Sequence, residues 1–167
     1  MHGRNILMAH YNFRKDIKEG ELGEKLVTKC LCETYGATLL SENKTNTHDV
    51  IIQFPENQHQ LWSGKVSIEI KTDVLVSKAR DTGNMFIEYA CRGKPSGISV
   101  TQADVFVTYF KNLNQIWAIR TSDLKELLET YKFRTVGNAG DVGSGTCGYL
   151  IPRMQYKSNF VRYILPG

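Results

Sequence analysis

Between Arg14 and Tyr35 the apolar positions return every three to four residues. Leu22, Leu26 and Cys30 form one line, with Val27 and Leu31 widening it. That period predicts an amphipathic helix, and Gly36 follows as its C-terminal stop. Gly20 and Gly23 weaken the first turns, each by ~1 kcal/mol against alanine. Small residues there would let the helix come close to another backbone. The period then falls to two. Ala37 to Leu40 predicts a short strand, Ser41 to Thr47 a polar turn, and His48 to Phe54 a second strand. The Val50-Ile51-Ile52 run of that strand suits burial on both faces. After a loop from Pro55 to Gly64, a third strand spans Lys65 to Asp73. Its Ile68 and Ile70 point one way and its Glu69 and Lys71 the other.

Val74 to Thr82 carries Lys78 and Arg80 and reads as an exposed connection. Asn84 to Ala90 alternates again and predicts a fourth strand, followed by a loop at Gly93 to Gly97. Ala103 to Phe110 is an apolar strand rich in valine and aromatics. Asn112-Leu113-Asn114 turns it back into Gln115 to Arg120, so the two predict a hairpin. Thr121 or Ser122 caps a helix from Asp123 to about Tyr131, with Leu124, Leu127 and Leu128 on one face. Gly137 to Gly148 is glycine-rich but lacks the G-K-[ST] ending of a phosphate loop, and reads as a mobile loop. Tyr149 to Pro152 and Asn159 to Leu165 are short strands or extended edges.

The order of elements predicts an α/β domain, a central mixed β-sheet flanked by helices. One domain over residues 1–167 is expected, with a core over about 14–135 and a C-terminal extension over about 136–167.

With 167 residues, 41% hydrophobic and 23% charged, the chain can build a packed core. The net charge of +4 is compatible with a polyanionic partner without demanding one. Cys30, Cys32, Cys91 and Cys147 form no C-x-x-C pair, which favours reduced thiols over a zinc site. Met1 to Asn5 does not begin a signal peptide. No apolar run approaches the ~20 residues of a membrane span. A soluble, cytoplasmic protein with no membrane partner is expected.

The chemistry concentrates on two strands. If His48–Phe54 and Lys65–Asp73 pair, then Asp49, Glu69 and Lys71 converge. Two carboxylates beside a lysine suit a hard divalent cation and a phosphate. The tetrapeptide Ile68-Glu69-Ile70-Lys71 taken alone reads more readily as a half-exposed strand with cross-strand ion pairs; Asp49 and Glu24 are what turn the reading toward a site.

Asp49, then Glu69-Ile70-Lys71 on the next strand, after a helix carrying Glu24, resembles the PD-(D/E)XK nuclease superfamily. Gly20-Glu21-Leu22-Gly23-Glu24 looks like the first helix of its Holliday-junction-resolvase-like members, where a glycine precedes the helix glutamate by four. The run from Asn84 to Ala103, with Glu88 and Thr101-Gln102, is similar to phage and prokaryotic members. His48 stands where the motif often has proline. The resemblance spans roughly residues 18–110 and implies a restriction-endonuclease-like core.

It further implies a Mg²⁺-dependent DNA endonuclease, with selectivity for DNA structure left open and Mn²⁺ as a substitute ion. Asp49 and Glu69 would be the carboxylate ligands and the Ile70 carbonyl a third. Lys71 would act on the attacking water or on phosphorane oxygens. Glu24 would hold a metal-bound water or a second ion, and Glu88 and Gln102 are accessory candidates. Lys78, Arg80, Arg92, Lys94 and Gln102 are the candidate DNA contacts. A homodimer is left open.

Two other classes compete. One is a non-catalytic nucleic-acid-binding or assembly protein that keeps the nuclease fold. The other is a small-molecule enzyme, against which stands the lack of both a G-x-S-x-G and a dinucleotide fingerprint.

Overall fold

The computed structural model describes residues 13–42, 48–57, 59–139 and 143–166. A first helix, α1 (Phe13–Tyr35), leads into strands β1 (Thr38–Ser41), β2 (Val50–Phe54) and β3 (Gly64–Ser77). Then come β4 (Asn84–Cys91), β5 (Lys94–Pro95), a 3-10 turn (Gly97–Ser99), β6 (Val105–Asn112) and β7 (Gln115–Arg120). Helix α2 (Thr121–Thr130), β8 (Arg134–Val136), β9 (Thr146–Pro152), a second 3-10 turn and β10 (Val161–Ile164) complete the order. The polar turn expected at Ser41–Thr47 lies largely outside the described residues.

The fold is α/β with a mixed six-stranded central sheet, ordered β1-β2-β3-β6-β7-β10. Only β3 and β6 run parallel among these neighbours; every other pair is antiparallel. Because side chains alternate across a strand, this sheet has two apolar faces. On one face Val50, Ile52, Ile68, Ile70, Val105 and Val107 pack with Val27 and Leu31 of α1. On the other, Phe106, Phe110, Trp117 and Ile119 meet Leu124 and Leu127 of α2.

A second sheet, ordered β5-β4-β9-β8, closes that other face through Met85, Ile87 and Ile151. A single central sheet was expected, and β4 departs from it. Its period-two pattern fixes which residues face a core but not which strand it pairs with, and β9 supplies the partner.

The packing of α1 corrects the sequence reading. Leu22 and Leu26 are 51% and 37% exposed, while Val27 and Leu31 are fully buried. The helix is turned by Gly23. A Cβ at that position would overlap Thr72 Oγ1 on β3 and stand only 3.0 Å from Thr72 Cβ. The missing side chain therefore brings the helix onto the sheet along the Gly23–Val27–Leu31 line rather than the Leu22–Leu26 line.

Strand β3 also outruns its expected end at Asp73. Val74–Ser77 belongs to it, after an irregularity in its pairing with β6 between Asp73 and Ser77. Asp73 Oδ1 accepts hydrogen bonds from the Leu75 and Val76 amides, each at 2.9 Å, which braces the bend.

The stretch expected as a C-terminal extension is woven into both sheets, β9 into the second and β10 along the edge of the first. Thr146–Gly148, expected within a loop, begins β9. A Cβ on Gly148 would overlap the Phe86 ring of β4, so this glycine lets the ring cross the neighbouring strand. Tyr163 of β10 accepts a hydrogen bond from Trp62 Nε1 at 2.7 Å and shares one with the Tyr35 hydroxyl at 2.5 Å. These contacts tie the C-terminal edge to α1 and to the β2–β3 loop.

Candidate active site

The site grows out of the pairing of β2 with β3. Val50 pairs with Ile68 in antiparallel register, so Asp49 sits one step beyond the end of β2, beside Glu69. Its amide donates to the Ile68 carbonyl at 3.0 Å, which continues the ladder by one bond. Its side chain then replaces the strand that has ended: Asp49 Oδ2 accepts from the Ile70 amide at 2.7 Å. The carboxylate is thereby fixed against β3. Ile70 takes part through its N–H, and its side chain is buried in the α1-side core.

Glu69 and Lys71 lie on the opposite face of β3 from Ile68 and Ile70, the face turned toward the second sheet. Lys71 Nζ lies 2.9 Å from Glu69 Oε1. Glu69 is 8% exposed, whereas the Lys71 side chain keeps 45% of its surface in solvent. Burial pushes the Glu69 carboxyl above the ordinary range, against the pull of Lys71 and with the charge of Asp49 adding to the rise. Burial opposes the Lys71 charge, but Glu69, helped by Asp49 and Glu88, outweighs it and holds the ammonium above its usual value. The structure thus brings Asp49, Glu69 and Lys71 into one electrostatic group at the edge of solvent, as the strand pairing predicts.

Glu88 enters the group from the second sheet. The β4–β9 pairing shifts between Glu88 and Ala90, and bulges of this kind re-aim side chains next to sites. The 3-10 turn presses from behind: Gly97 has φ +53°, and a Cβ there would overlap the Glu88 carbonyl oxygen.

Glu24 is half-buried on α1 and lines a cavity of about 160 Å³ with Glu21, Lys25, Thr28, Glu42 and Val50. That lining contains Val50 rather than Asp49, Glu69 or Lys71. Gln102 lies elsewhere, in a larger cavity beyond the N-terminal ends of β3 and β6. Lys78 and Arg80 are exposed in the turn after β3, where Ser77 and Arg80 exchange two backbone hydrogen bonds. Arg92 and Lys94 are exposed around the β4–β5 connection, with Arg92 at φ +51°.

Two neighbours of the site were not counted among its working residues from the sequence. His48 acts electrostatically on Glu69. Thr108 is the β6 partner of Lys71, is 4% exposed, and its Oγ1 has no hydrogen-bond partner among the described residues. The signal for Thr108 was a lone threonine in the otherwise valine- and aromatic-rich run Val105-Phe106-Val107-Thr108-Tyr109-Phe110.

The donor set can be tested against the ion that the resemblance implies. Among the described residues no group of three or more His, Cys, Asp or Glu side chains could hold a metal. What the site offers is two carboxylates, each with one oxygen outside the contacts just described. Mg²⁺ typically keeps several waters and binds through one or two carboxylates plus substrate phosphate. The set fits that ion and does not fit one that needs an all-protein cage. All four cysteines are free and partly buried.

Among the described residues no helix is long and apolar enough to cross a membrane. No family model, curated protein or solved structure compared with the chain matches it.

Proposed function

We propose that the protein is a Mg²⁺-dependent DNA endonuclease built on a restriction-endonuclease-like core. The observation that carries this reading is the Asp49–Glu69–Lys71 group. One carboxylate is anchored on the Ile70 amide at 2.7 Å, the other is held by Lys71 at 2.9 Å, and the lysine reaches solvent.

Asp49 and Glu69 would hold the ion, Mg²⁺ or in its place Mn²⁺, which would supply Lewis acidity toward a phosphoryl oxygen. The Ile70 amide keeps Asp49 from swinging away. Glu69 keeps the Lys71 ammonium protonated and aimed along β3. A charged ammonium in that position stabilises negative charge that builds on the phosphate as a water attacks. Exposed Lys78, Arg80, Arg92 and Lys94 would meet backbone phosphates, and affinity would fall with salt.

A second reading has its own support. The Lys71–Glu69 contact is already a complete ion pair on a strand, which a non-catalytic nucleic-acid-binding protein of the same fold could keep for stability. One experiment separates the two: labelled plasmid, duplex, flap and four-way-junction DNA incubated with Mg²⁺, Mn²⁺ or EDTA. Cleavage that needs metal and disappears in Glu69→Gln supports the nuclease. Binding without cleavage on every substrate and metal rejects it in favour of the second reading.

A further inference from the structure

Helix α2 ends in a ring. Tyr131 is its C-terminal cap, extended at φ −114° and ψ 141°, and its amide donates to the Leu127 carbonyl at 3.1 Å. Two residues on, the Phe133 amide donates to the Tyr131 carbonyl at 3.2 Å, which folds the segment tightly. Tyr156 comes in after β9, its carbonyl accepting from the Asn159 amide at 3.0 Å as the second 3-10 turn closes. Tyr156 meets both other rings edge to face, with centroids 5.2 Å from Tyr131 and 5.1 Å from Phe133. Tyr131 and Phe133 are tilted at 6.0 Å.

Burial is graded across the three. Phe133 and Tyr156 are half-buried and pack against the core between α2 and the second sheet. Tyr131 keeps 47% of its surface in solvent. The cluster thus ends in a ring that faces water and is braced from behind by two others. A ring held in this way loses little freedom when a ligand lies on it, so its contact area converts well into affinity.

The charge around the rings is positive. In segments 129–134 and 154–157, which carry them, Lys132, Arg134 and Lys157 stand against Glu129 alone, and all four are exposed. Lys132 and Arg134 flank Phe133 in the chain, and Lys157 follows Tyr156. An apolar partner would need the rings without the cations. A duplex would need the cations without the rings, because its bases are already stacked on each other. A single strand needs both: its bases present free π-faces and its backbone a row of anions.

We infer that Tyr131, braced by Phe133 and Tyr156, is a stacking platform for a base of single-stranded nucleic acid, with Lys132, Arg134 and Lys157 taking the neighbouring phosphates. Single-stranded DNA and RNA share this chemistry. The platform uses no metal and none of Asp49, Glu69 and Lys71, so it goes beyond the cleavage reading.

The test is binding by fluorescence anisotropy with the full chain in EDTA, where metal-dependent cleavage is silent. The labelled probes are an oligothymidylate, an oligouridylate of the same length, the thymidylate–adenylate duplex, and an abasic strand with the same phosphates. Tyr131→Ala should weaken binding of a base-bearing single strand by about tenfold, the order of loss for one stacked base. It should leave the abasic strand and the duplex unchanged, and Tyr131→Phe should keep wild-type affinity. Lys132→Gln with Lys157→Gln should flatten the slope of log affinity against log salt by about 1.4, at ~0.7 per phosphate on a single strand. The strand that loses more to Tyr131→Ala tells DNA from RNA. Melting temperatures check that the variants fold; should Tyr131→Ala not fold, the lysine pair and the comparison of base-bearing with abasic strand still decide. If folded Tyr131→Ala binds single strands as wild type does, if the abasic strand loses as much, or if a proline-rich peptide alone depends on Tyr131, the inference falls. Cleavage is read separately, with metal and Glu69→Gln, so the two readings fail independently.

Discussion

Replacing Gly23 by alanine should destabilise the protein, although alanine is the better helix former. Within an exposed helix the change gains about 1 kcal/mol. Here the new methyl would overlap Thr72 Oγ1, with Thr72 Cγ2 at 3.2 Å and Thr72 Cβ at 3.0 Å. Threonine is stiff at χ1, and turning the hydroxyl away leaves the Cβ contact in place. Helix and strand must separate, and overpacking of this kind typically costs ~1–3 kcal/mol. The depth of the Oγ1 overlap puts the cost in the upper part of that range, ~2–3 kcal/mol, so the net loss should be about 1–2 kcal/mol, or a fall in Tm of a few degrees at ~2–4 °C per kcal/mol for a chain of this size.

Gly20 is the control. It lies in the same helix with nothing within 4 Å of its would-be Cβ. Gly20→Ala should therefore stabilise by ~0.5–1 kcal/mol. Urea melts at constant m-value, with thermal melts alongside, measure both. Adding Thr72→Ala to Gly23→Ala should restore part of the loss, because the two residues touch. A Gly23→Ala protein as stable as wild type, or equal to Gly20→Ala, would refute the close approach of α1 to β3.

Lys71→Ala should leave Mg²⁺ affinity nearly unchanged, since an ammonium donates and does not ligate. It should slow single-turnover cleavage by ~10²–10³, the usual loss for one group that stabilises transition-state charge; cleavage at the wild-type rate would sink the assigned role. Asp49→Ala should weaken Mg²⁺ binding, measured by calorimetry, and free the Ile70 amide to exchange faster with deuterium. Burial raises Glu69, so its proton is held more tightly when folded. Wild type should then lose stability relative to Glu69→Gln as pH rises through the carboxylate range, and parallel Tm-against-pH curves would contradict this. Asp81 is held low by its hydrogen bond from Arg153, so that contribution is present above the unfolded pKa and lost as pH falls. Asp81→Asn should flatten the acid side of the melting profile.

The sequence made the elements legible where pattern and punctuation agreed. Helix α1 ends at Tyr35, and Gly36 at φ +62° stops it as expected. The β6–β7 hairpin turns at Leu113–Asn114, with Asn114 at φ +51°. The convergence of Asp49 with Glu69 and Lys71 was legible too, because it needs only a local antiparallel pair and the alternation of side chains.

What stayed hidden depends on partners distant in sequence. Leu22 and Leu26 obey the helical period, yet the close fit of Gly23 to Thr72 decides the buried face. Glu88 joins the group only because β4 pairs with β9, some sixty residues further on. Arg153, 5% exposed, looks like a surface cation until Asp81 and the Phe110 ring are seen around it. The cavity around Gln102 is assembled from the ends of β3, β6 and β7, which no short motif could signal.

The parallel pairing of β3 with β6 sets an order on folding. Asp49, Glu69 and Lys71 belong to a hairpin that can close within about twenty residues of chain, an event of microseconds. The β3–β6 joint has to wait until the intervening segment with β4 and β5 has looped out, and β4 waits in turn for β9. Contacts of such long range are formed late and slow the overall rate. The acidic pair is thus built early, in the fastest part of the molecule. Glu88 and the cover over the second apolar face arrive later, once β9 is there to pair with β4. A nascent chain would carry the acidic pair before it carried the walls that restrict what can approach it.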